Sequence, residues 1–163
     1  DDTPDYQCKL FVTESGYFKK ITPQSLRMSG AQKVKEGDEI SQEFEATNKT
    51  ELLFFTDNAT VYKSKASAFE DSKASALGDY IPAKLSFDDG ESFRTMIPTT
   101  DYSGYLLFVF ENGKVAKVPL NAYETKTNRK KLTKAYSEKF EIFCIMHELF
   151  PRSYSLSHLH RKR

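Results

Sequence analysis

Three short apolar runs punctuate the chain: Leu10-Phe11-Val12-Thr13, Leu53-Phe54-Phe55-Thr56 and Leu107-Phe108-Val109-Phe110. A three-residue polar turn follows each, Glu14-Ser15-Gly16, Asp57-Asn58-Ala59 and Glu111-Asn112-Gly113, and then a second run: Tyr17-Phe18-Lys19-Lys20, Thr60-Val61-Tyr62-Lys63 and Lys114-Val115-Ala116-Lys117. Branched and aromatic residues bounded by turn chemistry predict strands, so each copy reads as a hairpin. Six residues beyond the last lysine each copy places a large hydrophobe, Leu26, Phe69 and Tyr123. The copies start 43 and 54 residues apart, near the span of one four-stranded propeller blade.

Between the hairpins, Gly37-Asp38-Glu39-Ile40 and Asp89-Gly90-Glu91 lead into further segments that run up to the next apolar stretch. Each repeat therefore reads as two hairpins. Such a unit cannot bury its inner face alone and must stack on its neighbours. The expected fold is all-β, with propeller-like repeats of four-stranded blades, about three partial blades over residues 8–139. Residues 1–7 are polar and proline-containing and read as a linker; residues 140–163 read as a divergent tail, helical or disordered. On propensity alone, Lys130 to Lys139 and Phe140 to Phe150 each suit a short helix.

Composition agrees with strands. The 163 residues include thirteen Phe and nine Tyr with no Trp, and aromatic and branched side chains suit a half-buried pleated surface. At this length roughly 70% of the unfolded chain's surface can be buried, enough for one sizeable core. The formal net charge of +1 excludes nucleic-acid binding driven by bulk charge, so any such role rests on local placement. A basic bias does run through residues 111–139, with Lys114, Lys117, Lys126, Arg129, Lys130, Lys131, Lys134 and Lys139 against Glu111, Glu124 and Glu138.

Other chemistry is poorly signalled. Cys8 and Cys144 form no Cys-x-x-Cys pair, which predicts free thiols and no zinc knuckle. No window approaches the roughly 18 apolar residues of a membrane helix, and the acidic start lacks a signal peptide's features. His147, His158 and His160 have no carboxylate or cysteine partner at metal-ligand spacing, and Asp88-Asp89-Gly90-Glu91 lacks the later positions of a calcium loop. No cofactor, metal or catalytic residue is expected. Asn48-Lys49-Thr50 and Asn58-Ala59-Thr60 fit the glycosylation tripeptide, a pattern common by chance.

Several of these segments resemble a known family. Gly16-Tyr17-Phe18-Lys19-Lys20 resembles the Gly-Tyr-x-Lys-Arg element after the first turn of blades in the C-terminal pinwheels of the A subunits of bacterial DNA gyrase and topoisomerase IV. Leu77-Gly78-Asp79-Tyr80-Ile81-Pro82-Ala83-Lys84-Leu85 with Asp89-Gly90-Glu91 is similar to their inter-blade segment, and Phe110-Glu111-Asn112-Gly113-Lys114-Val115-Ala116-Lys117 to the next hairpin. The resemblance implies a β-pinwheel whose rim binds and bends duplex DNA, placed behind a separate cleavage domain and working with an ATPase B subunit in the cytoplasm, at the nucleoid. Arg27-Met28-Ser29-Gly30-Ala31-Gln32-Lys33 retains only traces of the Gln-Arg-Arg-Gly-Gly-Arg-Gly box of gyrases, which implies weakened chiral wrapping.

A wrapping surface needs cations spread along an arc that follows the phosphates. Lys20, Lys63 and Lys117 are the repeat-equivalent set for that arc, joined by Lys19, Arg27, Lys65, Arg129, Lys130 and Lys131 near them in sequence. Contacts of this kind position the duplex without reading bases. The rival expectation is a propeller-like protein-interaction module whose lysines merely solubilise strand edges. Open blade edges of an incomplete ring also predict self-association.

Overall fold

The structure, a computed structural model, describes residues 1–149. His158, His160 and the basic end Arg161-Lys162-Arg163 lie outside the described residues. In chain order the elements are β1 (Gln7–Thr13), β2 (Tyr17–Ile21), α1 (Pro23–Arg27), β3 (Ile40–Thr47), β4 (Glu51–Thr56) and β5 (Val61–Lys65). They continue with β6 (Asp79–Tyr80), α2 (Ile81–Lys84), β7 (Phe93–Thr99), β8 (Tyr105–Phe110), β9 (Val115–Pro119), β10 (Lys131–Leu132) and β11 (Ile142–Glu148). Short 3₁₀ turns at Ala66–Ala68 and Leu120–Tyr123 follow β5 and β9, where α1 follows β2.

The strands form three antiparallel sheets, the blades, with strand orders β3-β1-β2-β6, β10-β5-β4-β7 and β11-β8-β9. The repeat seen in the sequence is the repeat of the fold. Leu10 lies opposite Lys20, Leu53 opposite Lys63 and Leu107 opposite Lys117. All three hairpin turns need a left-handed residue at the same place, supplied by Gly16 (φ 94°), Ala59 (φ 62°) and Gly113 (φ 87°).

The blades do not, however, consist of two hairpins from one repeat. The fourth strand of the first blade, β6, pairs Tyr80 with Tyr17, and it comes from the repeat whose hairpin builds the second blade. The fourth strand of the second blade, β10, pairs Leu132 with Val61 and comes from the third repeat. Each of these two blades is thus completed by its successor. Sequence pattern missed this because a two-residue strand carries no periodicity.

The expected tail is also corrected in part. Residues 142–148 are not helical but form β11, with Ile145 opposite Phe108, so the third blade runs past residue 139. Local propensity loses here to an available partner edge on β8. Asp1 to Tyr6 carry no regular structure, yet they are tied down by the Tyr6 hydroxyl donating to Asp71 at 2.6 Å and by Asn48 Nδ2 donating to the Pro4 carbonyl. That same use of Asn48, buried at 4% exposure, removes it as a glycosylation site.

Two hydrophobic layers bind the blades. Leu10, Val12, Phe18, Leu52, Phe54, Phe69 and Met96 fill the layer between first and second blades; Leu53, Phe55, Val61, Phe108, Leu120 and Tyr123 fill that between second and third. The second blade is therefore buried on both faces. This explains why Leu52-Leu53-Phe54-Phe55 is an unbroken apolar run and not an alternating one. Truncating Phe54 or Phe55 to Ala is expected to cost about 3–5 kcal/mol, the usual loss for a buried aromatic.

Candidate nucleic-acid interface

The nine candidate cations do not share one environment. Lys19 and Lys20 are buried, at 1% and 2% exposure. The Lys19 ammonium donates to the carbonyls of Lys33 (2.8 Å) and Ala74 (3.1 Å) and to Gln32 Oε1 (2.9 Å), and burial pulls its pKa below the usual lysine value. Lys20 donates to Asn48 Oδ1 (2.7 Å) and the Ala66 carbonyl (3.1 Å), with Asp71 at 3.4 Å. An ammonium whose donors are spent on internal acceptors is not offered to a phosphate. The expectation that these two lysines stand on a DNA-facing rim is therefore corrected: they tie the first blade to the loop after α1 and to the second repeat.

Lys63 has the same job one blade further on. It donates to the Tyr123 carbonyl (2.8 Å) and Thr125 Oγ1 (2.9 Å), both in the third repeat, and desolvation lowers its pKa. Unlike Lys20 it is only half-buried and stands in the wall of a groove. Lys117, the third member of the set, is exposed, and its Nζ lies 4.3 Å over the Tyr105 ring. The equivalent lysines thus share register but not a common outward direction.

The groove is where most of the remaining cations meet. With a volume of about 710 Å³, it is bounded by the end of β5, the end of α2 and the loop leading into β10. Lys65, Lys84, Arg129 and Lys130 line it and are exposed, and among the described residues none of the four is ion-paired. Lys84 sits in the last turn of α2, a favourable place for a cation at the negative end of a helix; its Nζ is 5.5 Å from the centre of the Phe69 ring. Lys131 stands beside them but is committed to Asp88 at 3.2 Å, and that hydrogen bond, followed by one to Tyr62, raises its pKa. Arg27, exposed at the end of α1, is not part of the groove.

Sequence spacing missed Lys84 as a site residue because it lies between hairpins, off the repeated lysine offset. Its signal was the resemblance of Ile81-Pro82-Ala83-Lys84 to an inter-blade segment. The groove is lined by four exposed cations together with Ser64, Ser67 and Thr127, and its one lining carboxylate, Glu51, accepts a hydrogen bond from the Tyr102 hydroxyl, an arrangement suited to an extended polyanion and not to a small deep-bound ligand. Among the described residues no group of three or more His, Cys, Asp or Glu side chains is placed to hold a metal ion.

Blades that stack face to face and lend each other strands define a β-pinwheel. No family profile matches the chain. It is 30% identical over 123 residues, 70% of its length, to the DNA gyrase A subunit of Streptomyces coelicolor, and 28% identical over 125 residues, 74% of its length, to the DNA topoisomerase 4 A subunit of Bacillus subtilis. Among solved structures it resembles the C-terminal domain of DNA topoisomerase IV, with a TM-score of 0.79 at 25% identity over 90% of the chain and 47% of that domain. The E. coli ParC C-terminal domain shares the fold, with a TM-score of 0.63 at 15% identity over 86% of the chain and 56% of that domain. The chain belongs to the family of C-terminal β-pinwheel domains found in the A subunits of gyrase and topoisomerase IV. It spans only 14% of the gyrase relative and 16% of the topoisomerase relative.

Proposed function

We propose that this pinwheel binds and bends duplex DNA for a type IIA topoisomerase, seating the phosphate backbone in the groove of Lys65, Lys84, Arg129 and Lys130. The observation that carries the reading is the convergence of these four cations, from three elements of two repeats, with no carboxylate paired to any of them among the described residues. In such a protein the module works beside the cleavage domain and an ATPase B subunit, in the cytoplasm and without strand-cleaving chemistry of its own. Among the described residues no helix is long and apolar enough to cross a membrane.

Its test is duplex binding measured against salt. Neutralising about four phosphates gives a slope of log K on log salt near −3.6 and a loss of roughly 10²-fold between about 50 and about 200 mM. Affinity that ignores salt, or no affinity at low salt, overturns the proposal and favours the protein-interaction reading. Sequence dependence is expected to follow flexibility of the duplex and not base identity.

A further inference from the structure

Residues 124–130, which bring Arg129 and Lys130 to the groove, contain neither helix nor strand. An irregular exposed segment keeps one shape only as far as its polar groups find partners. Here Lys63 grips it at both ends. The Lys63 backbone N–H donates to the Lys130 carbonyl at 2.9 Å, while its ammonium donates to the Tyr123 carbonyl and to Thr125 Oγ1. The Thr125 hydroxyl in turn donates to the Thr127 carbonyl at 2.8 Å, and that same carbonyl accepts the Arg129 N–H at 2.8 Å. One hydroxyl thus links the anchored lysine to the backbone of a groove cation.

The residue type suits the task, because a hydroxyl can accept and donate at once whereas a carboxylate only accepts. The joint between the first and second blades shows the contrast. Asp71 stands two residues beyond Phe69 as Thr125 stands two beyond Tyr123, and it lies 3.4 Å from the equivalent Lys20 ammonium. It also accepts from the Tyr6 hydroxyl, and as an acceptor alone it passes no hydrogen bond onward. The stretch around it, Glu70-Asp71-Ser72-Lys73, holds more acid than base, whereas residues 124–130 hold Lys126, Arg129 and Lys130 against Glu124. The relaying hydroxyl therefore sits at the joint whose loop carries groove cations.

We infer that Thr125 is a positioning residue of the proposed duplex groove: its relay holds residues 124–130 so that Arg129 and Lys130 face the groove before the phosphate backbone arrives. The inference rests on the DNA reading above. Thr125 acts through Arg129 and Lys130 and not by contact with phosphate. Removing its hydroxyl leaves all four groove cations in place, so the number of phosphates neutralised is kept, while the loop must be ordered at the moment of binding. The signature is weaker binding at every salt concentration with an unchanged salt slope, unlike the loss of a cation, which changes the slope.

Two measurements on the 163-residue chain test it: amide hydrogen exchange by NMR, and duplex binding by fluorescence anisotropy across a salt series. Thr125→Val is expected to speed exchange of the Arg129 N–H several-fold while the amide of the buried Phe54 keeps its parent rate, which verifies the fold. The same variant is expected to bind duplex roughly five-fold more weakly, the net worth of about one hydrogen bond, at the parent slope. Thr125→Ser, which restores the hydroxyl, is expected to recover both properties. In an Arg129→Glu, Lys130→Glu background Thr125→Val is expected to add no further loss of affinity, because the cations it positions are gone. Unchanged Arg129 exchange in Thr125→Val overturns the relay whatever the duplex does. A changed slope, failure of Thr125→Ser to rescue, or a full additional loss in the double-Glu background overturns the positioning role. A parent chain that binds no duplex overturns the groove reading and the duplex half of this inference with it, and the exchange result then decides the relay by itself.

Discussion

The ammonium of Lys63 sits 2.8 Å from the carbonyl oxygen of Tyr123, one blade away. Lys20 makes the matching contact with Ala66 across the preceding boundary. These two repeated lysines are thus built into the joints between blades. A charged donor satisfying a carbonyl that the stacked sheets cut off from water is worth more than a surface contact.

Lys20→Met keeps the apolar stem and removes the ammonium, stranding the Ala66 carbonyl and Asn48 Oδ1. Buried unsatisfied acceptors cost about 1–3 kcal/mol each, so urea unfolding is expected to show a loss of about 2–4 kcal/mol, and Lys63→Met a smaller one because that side chain is half-buried. Lys117→Met is expected to stay within about 0.5 kcal/mol of the parent, as exposed substitutions do. Equal losses at all three positions would contradict the joint.

Gly78 marks the place where the second repeat crosses the first blade. A Cβ there would stand 2.4 Å from the Phe18 carbonyl oxygen and 2.7 Å from Lys19 Cγ, on a backbone with φ +94°. Gly37, with φ +81°, has nothing within 4 Å of that point. Gly37→Ala therefore carries the left-handed penalty of roughly 1–2 kcal/mol, while Gly78→Ala must also push the crossing strand away. Melting curves are expected to rank Gly78→Ala clearly below Gly37→Ala.

How much of this was legible in the sequence follows from what each feature leaves behind. The hairpins were readable because Leu-Phe runs, turn residues and a lysine recur at fixed offsets, and the observed pairings keep those offsets. The exchange of fourth strands was not, since Asp79–Tyr80 and Lys131–Leu132 are too short for a pattern. The lysine direction failed for a different reason. On a strand covered by neighbouring blades, a charged residue can point into a joint as readily as into solvent, and the acceptors that decide it, Ala66 and Tyr123, lie tens of residues away. The groove cations Lys65, Arg129 and Lys130 were found by local charge; Lys84 needed the fold to bring α2 beside them.

Alkaline stability follows from the buried tyrosines. Burial, before any neighbour, pushes the Tyr136 hydroxyl up to about 12 from 10.0, and that hydroxyl donates to the Thr56 carbonyl. In the unfolded chain the group ionises near 10, so between pH 10 and 12 the folded form binds more protons and stability falls as pH rises. The contribution is fully present below pH 10 and is lost through about 12. Denaturant midpoints measured from pH 9 upward are expected to decline more steeply in the parent than in Tyr136→Phe, which lacks the ionising group. Parallel declines would remove Tyr136 from the account.

The placement of the cations separates two kinds of lysine effect on DNA. On the proposed groove path, reversing Lys65, Lys84 or Arg129 to Glu is expected to remove one phosphate contact and to shallow the salt slope by about 0.9. Lys84→Glu is the discriminating member, because no repeated offset in the sequence points to it and only the groove places it beside Arg129 and Lys130. Lys49→Glu, exposed and outside the groove, is expected to leave the slope unchanged. Lys19→Met and Lys20→Met are expected to lower thermal stability while, at temperatures where the chain is folded, leaving the slope near the parent value, since their ammonium groups are spent on Ala74 and Ala66. A slope that responds to Lys20 and not to Lys84 would move the DNA path out of the groove and back to the repeated lysines.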